Sequence, residues 1–186
     1  MIGHKGGDYY RLSKENILAI SQILGKEKEG KAAIGAIEKR VADLKGIATK
    51  KNIKAVVAMH NGDKVNFMNV GLYANLIHDT VGVKRAVELT EAQKNPTPPA
   101  PNAAPAPRPV PTPIDAEFIA KNKPDIIYIV DRSAAIGDKP MRVDFFDAKT
   151  LGNAKLVVLT GDLWYLSGGG IQSLNLQLDE IAESLK

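Results

Sequence analysis

Asp125-Ile126-Ile127-Tyr128-Ile129-Val130, running straight into Asp131-Arg132, is the stretch on which the reading of this chain turns. From Ile126 to Val130 it is apolar and rich in β-branched residues. A strand with that pattern is covered on both faces, as parallel strands are. Leu156-Val157-Val158-Leu159 reads as a second strand of the same kind. A short helix over 115–122 precedes the first. Strands alternating with helices predict an α/β lobe built on an open, mostly parallel sheet flanked by helices.

Outward toward the N-terminus, Ala55-Val56-Val57-Ala58-Met59 is another short apolar run, closed by the turn signal Asn61-Gly62-Asp63. Lys64 to Met68 alternates and reads as the return strand, and 72–81 reads as helical. Before that, 13–50 is helical. Ser13 and Asn16 lie near an N-cap, and Ile17, Ile20, Ile23 and Leu24 share a face. Gly25 marks a break, after which Ile34, Ile37, Val41 and Leu44 form a stripe that needs a partner surface. Outward toward the C-terminus, Ile171, Leu174, Leu178, Ile181 and Leu185 define an amphipathic helix. The expected organisation is a disordered start over 1–12, a helical segment over 13–53 and an α/β lobe over 54–186.

Inside that lobe, 95–113 reads as a Pro-rich loop. Of the eleven prolines, only Pro124 and Pro140 fall outside it. Proline blocks both helix and ladder, so an extended, solvated insertion is expected, with docking to an SH3-like partner as the other reading.

Composition excludes several classes. Of the 186 residues, 44% are apolar, and the net charge of +4 is dispersed, with no basic stripe interleaved with aromatics. Nucleic-acid binding has no support. There is no cysteine for a disulfide or a lipid anchor. Met1 to Asp8 has no apolar core of a signal peptide. The nucleophile elbow, the His-Glu-x-x-His helix and the Cys-x-x-Cys pair are all missing, so no catalytic residue is expected and the chain reads as a non-enzyme.

Ligands of open α/β sheets bind beyond the carboxyl ends of the strands. Arg132, Trp164 and Tyr165 should therefore sit near one rim. Two have plain alternatives: a surface ion pair for Arg132, core or rim packing for Trp164. Gly168-Gly169-Gly170 opens the last helix and is too short for a phosphate loop; a flexible turn is the plain reading. His60 and His78 share no ligand spacing and read as structural, and His4 falls in the expected disordered start.

Several stretches resemble one family. Ile126 to Gly137, "IIYIVDRSAAIG", is similar to the strand and loop of periplasmic binding proteins for catecholate siderophores of the petrobactin–enterobactin type. Trp164 to Gly170, "WYLSGGG", resembles that family's loop, Leu76-Ile77-His78-Asp79 with Val81-Gly82-Val83-Lys84 its helix, and "ISQILGKEKE" from Ile20 to Glu29 its approach to the inter-lobe helix.

The resemblance implies a C-terminal lobe of a two-lobed, helix-bridged binding protein. Residues 27–50 would be the bridging helix, and the N-terminal lobe would be missing or separate. It implies a ferric siderophore as ligand with no intrinsic cofactor, an ABC-transporter permease as partner, and a periplasmic location. Arg132 falls on a cleft arginine. Tyr165 falls on a tyrosine that completes the iron shell in some members, phenolate being a hard donor suited to Fe(III). Two departures stand out. Leu72-Tyr73-Ala74-Asn75 replaces a segment that carries a cleft arginine, so Tyr73 either stacks on a catechol ring or packs. The Pro-rich segment replaces the stretch that offers a histidine to iron. The alternative is a degenerate lobe that docks a second polypeptide without binding ligand.

Overall fold

The computed structural model describes residues 9–95, 110–142 and 144–186. Helices α1 (Tyr9–Ile23) and α2 (Glu27–Lys51) come first, then strands β1 (Lys54–Asn61) and β2 (Lys64–Phe67). Helix α3 (Leu72–Asn75) widens into a π-type turn (Leu76–Thr80), followed by β3 (Lys84–Arg85), α4 (Glu91–Lys94) and α5 (Ala116–Asn122). The remainder is β4 (Ile126–Asp131), α6 (Arg132–Ala135), α7 (Ala148–Leu151), β5 (Lys155–Leu159), a second π-type turn (Asp162–Leu166) and α8 (Ile171–Ser184).

The expected sheet is present. β1 lies parallel to β4 with Val57 opposite Tyr128, and β4 lies parallel to β5. On the far side of β1, β2 returns antiparallel and β3 adds a two-residue parallel pairing. All six residues of β4 are buried. Ile126, Tyr128 and Val130 point into one core, shared with α2 and α8, while Ile127 and Ile129 point into another, shared with Ile119, Met141 and Phe146. That is period-2 alternation with both faces covered. Tyr128 completes its burial by bonding Ser184 through its hydroxyl at 2.6 Å. β5 departs from expectation. It is the edge strand, so Val158 is exposed and only Leu159 is buried.

The helical segment over 13–53 shares the core of the lobe. Ile34, Ile37, Val41 and Leu44 on α2 are buried with Leu174, Leu178 and Ile181 of α8. The stripe that needed a partner finds it in this same chain.

The start of α1 differs from the sequence reading. The helix already includes Tyr9, so residues 9–12 are ordered and Ser13 is no cap; its hydroxyl donates back to the Tyr9 carbonyl at 2.8 Å. The buried face of α1 is Ser13, Ile17 and Ser21, and Ile20, Ile23 and Leu24 are exposed. The reason is close packing. A Cβ on Gly30 would lie 2.3 Å from Ser21 Oγ, so small residues face each other where α1 crosses α2.

Most of the Pro-rich segment lies outside the described residues. Its exit pairs with the sheet edge: Phe67 N–H donates to the Thr112 carbonyl at 2.8 Å and Ile114 N–H to Val65 at 2.9 Å.

Candidate functional site

The carboxyl end of β4 is anchored by Asp131. This residue is 3% exposed and caps α6. Its carboxylate accepts from the Met141 N–H at 2.7 Å, the Ala134 N–H at 3.1 Å and His60 Nδ1 at 2.8 Å. Burial alone would raise its pKa. The Met141, His60 and Ala134 donors outweigh that and hold it below the usual carboxylate range. With this carboxylate fixed, the backbone at Arg132 is fixed too.

Arg132 then reaches two partners from other elements. Its Nε donates to Tyr165 Oη at 2.9 Å, and Nη1 donates to Asn61 Oδ1 at the end of β1. The guanidinium carbon lies 5.3 Å from the Tyr165 ring centroid, within cation–π range. The guanidinium and phenol expected near one rim are in direct contact.

Tyr165 is delivered by the chain beyond β5. Gly161 makes the approach possible, because a Cβ there would lie 2.4 Å from the Asp131 carbonyl oxygen and 3.0 Å from Ala135 N. The π-type turn that follows sends Tyr165 to the rim and Trp164 inward.

Trp164 is therefore corrected from rim to core. It is 1% exposed, and its Nε1 donates to Glu180 Oε2 at 2.7 Å. The same carboxylate accepts the Thr160 hydroxyl and, at 3.3 Å, the Thr160 N–H. Glu180 thus ties α8 to the start of the turn that carries Tyr165. Sequence marks Asn61 only as a turn residue and Glu180 not at all; Asn61 ends β1 and Glu180 lies within α8, and only tertiary contact reveals their roles.

Tyr73 is half-buried and meets the Trp164 ring edge-on, centroids 6.2 Å apart. Burial, then the neighbouring Tyr165 and Tyr9, push its hydroxyl up to about 12, so it is a neutral phenol at physiological pH. The packing alternative describes its contact with Trp164.

The Gly-rich loop is pinned. A Cβ on Gly169 would lie 1.9 Å from Ser13 Oγ and 3.2 Å from a Tyr9 ring carbon, so α1 presses directly on it. Tyr9 also reaches Gln177 Oε1 at 3.5 Å. His78 is buried, and its Nδ1 donates to the Val83 carbonyl at 2.8 Å. His4 lies outside the described residues. A depression of about 800 Å³ lies between α5 and α7, around Lys123, Asp125 and Lys149. Its lining does not include Arg132, Tyr165 or Asn61.

No protein-family profile matches the chain. In sequence and in fold the chain is nevertheless similar to ferric-siderophore-binding proteins. One relative is the ferric-anguibactin-binding protein FatB of Vibrio anguillarum, 25% identical over 94% of this chain and 52% of FatB. Another is the petrobactin-binding protein YclQ of Bacillus subtilis, 26% identical over 100% of this chain and 56% of YclQ. The crystal structure of YclQ matches with a TM-score of 0.75, covering 97% of this chain and 62% of that one. The siderophore-binding protein BauB, solved with two acinetobactin molecules and ferric iron, shares the fold at a TM-score of 0.75 and 20% identity. In that structure the ferric siderophore is a bound ligand. The chain spans about half the length of the curated relatives it matches.

Proposed function

We propose that this chain binds a ferric siderophore at the Arg132–Tyr165 rim, as part of the solute-binding component of a periplasmic ABC import system, and that it catalyses no reaction. The observation that carries this reading is the contact between Arg132 and Tyr165 at the carboxyl edge of a parallel sheet. A guanidinium matches anionic catecholate oxygens in charge and in planar donor geometry. The phenol of Tyr165 offers a hard oxygen where a siderophore leaves iron positions open. In this reading α2 is the inter-lobe helix.

The test uses the single tryptophan of the chain. Trp164 sits next to Tyr165 in sequence and against Tyr73, so a ferric catecholate on the rim should quench its fluorescence saturably. Silence at high micromolar ligand overturns retained binding.

A second reading, a lobe that docks another polypeptide, is favoured by one observation. Ile20, Ile23 and Leu24 at the end of α1 are 57%, 83% and 66% exposed. Apolar residues left out in a cluster mark contact surfaces. Self-association of the purified chain in sedimentation, together with a silent titration, would favour it over the first.

A further inference from the structure

The carboxyl edge of the sheet has two sides. On one side, Arg132 links Asn61 to Tyr165. Their neighbours His60 and Asp131, opposite each other in register, turn toward the layer of Met141 and Phe146.

His60 is 2% exposed. Both oxygens of Asp131 are already acceptors of amide hydrogens, so the imidazole donates to it through Nδ1. Nε2 is left with a lone pair and no partner among the described residues. The ring stands in the wall of a cleft of about 410 Å³. Phe145 closes one side, its ring edge-on to the imidazole at 5.9 Å. The charged groups around this cleft are Lys139, Asp63 and the pair Arg142–Asp144, which are forked together at 2.8 and 2.6 Å. Their charges cancel. The buried dyad therefore sets the sign. With His60 neutral it carries one negative charge and repels anions. A proton on Nε2 makes the dyad neutral and aims an N–H into the cleft beside the Lys139 ammonium.

We propose that this cleft is a second oxyanion site, for a carboxylate or phosphate group, and that binding there brings one proton onto His60. The proton comes from solvent to Nε2, Nδ1 keeps its hydrogen toward Asp131, and the new N–H donates to the oxyanion. No other bond changes. The paired carboxylate behind the ring stabilises the imidazolium, as it does in any His–Asp dyad.

Calorimetric titration of the whole chain near neutral pH with sulfate, and separately with acetate, tests this. Neither anion titrates there, so any proton taken up belongs to the protein. Two buffers of different ionisation enthalpy should report about one proton per anion, and affinity should rise on acidification. His60→Gln should lose both responses and Arg132→Ala should keep both. Lys139 is exposed, so Lys139→Ala leaves the fold intact and should weaken binding severalfold; unchanged affinity in it counts against the cleft. Absence of heat with either anion at high millimolar concentration overturns the proposal. So does binding without proton uptake, or loss of binding in Arg132→Ala rather than His60→Gln. The ferric titration reads the other side of the edge, so either result stands without the other.

Discussion

Arg132 is held in place by its neighbours. Tyr165 and Asn61 take two of its donors, and the Asp131 cap fixes its backbone. Preorganisation of this kind lowers the ordering cost of binding. Arg132→Ala should weaken ferric catecholate binding at least about tenfold, the scale of one lost charge-assisted contact, read from Trp164 quenching. Lysine cannot restore it, because the fork that spans Tyr165 and Asn61 would be gone. Gly161→Ala forces a Cβ onto the Asp131 carbonyl. It should destabilise the fold by about 1–3 kcal/mol in urea melts and loosen the rim as well. Arg132 and Tyr165 were legible because strand ends announce themselves in sequence. Trp164 was not, because consecutive residues on a helical turn point about 100° apart, so adjacency to Tyr165 says nothing about direction.

Elements meet here through small residues and one carboxylate. α1 presses Ser21 onto Gly30 of α2 and Ser13 onto Gly169 of the Gly-rich loop. Gly30→Ala should cost about 1–3 kcal/mol, with the helices pushed apart and Tyr9 lifted from Gln177. The apolar periodicity of α1 suggested another face, since hydrophobicity was the only guide and the close approach of two serines has no apolar signature. Glu180 joins α8 to Thr160 and Trp164. Glu180→Gln keeps the shape but weakens charge-assisted bonds, so a loss of about 1–2 kcal/mol and a shift in Trp164 emission are expected.

The molecule as a whole should be acid-sensitive for a reason that lies away from the rim. Burial first of all lowers the pKa of His78 to about 4, from an ordinary 6.5. Above pH 6.5 both folded and unfolded chains are neutral there and nothing is gained or lost. As pH falls toward 4 the unfolded chain takes a proton that the folded one resists, removing up to about 3 kcal/mol. Asp131 acts in the same direction at lower pH, since its depressed folded pKa contributes stability that is lost on its protonation. His78→Asn, which keeps a donor near Val83, should flatten the difference between urea melts at pH 7 and pH 4.5. An unchanged slope would assign the acid loss elsewhere.

The sequence by itself determined the α/β sheet, its doubly covered β4, the helical stripe of α2 and the placing of Arg132 and Tyr165 at strand ends. Those properties are local: a run of β-branched residues or a 3.6-residue stripe is complete within a few turns of chain. Tertiary structure alone decided that Trp164 is core, that α1 buries its serines, that β5 is an edge and that His60 meets Asp131. These depend on register and interhelical distance between residues far apart in the chain, 71 positions for the His60–Asp131 pair, and no local pattern encodes such a separation.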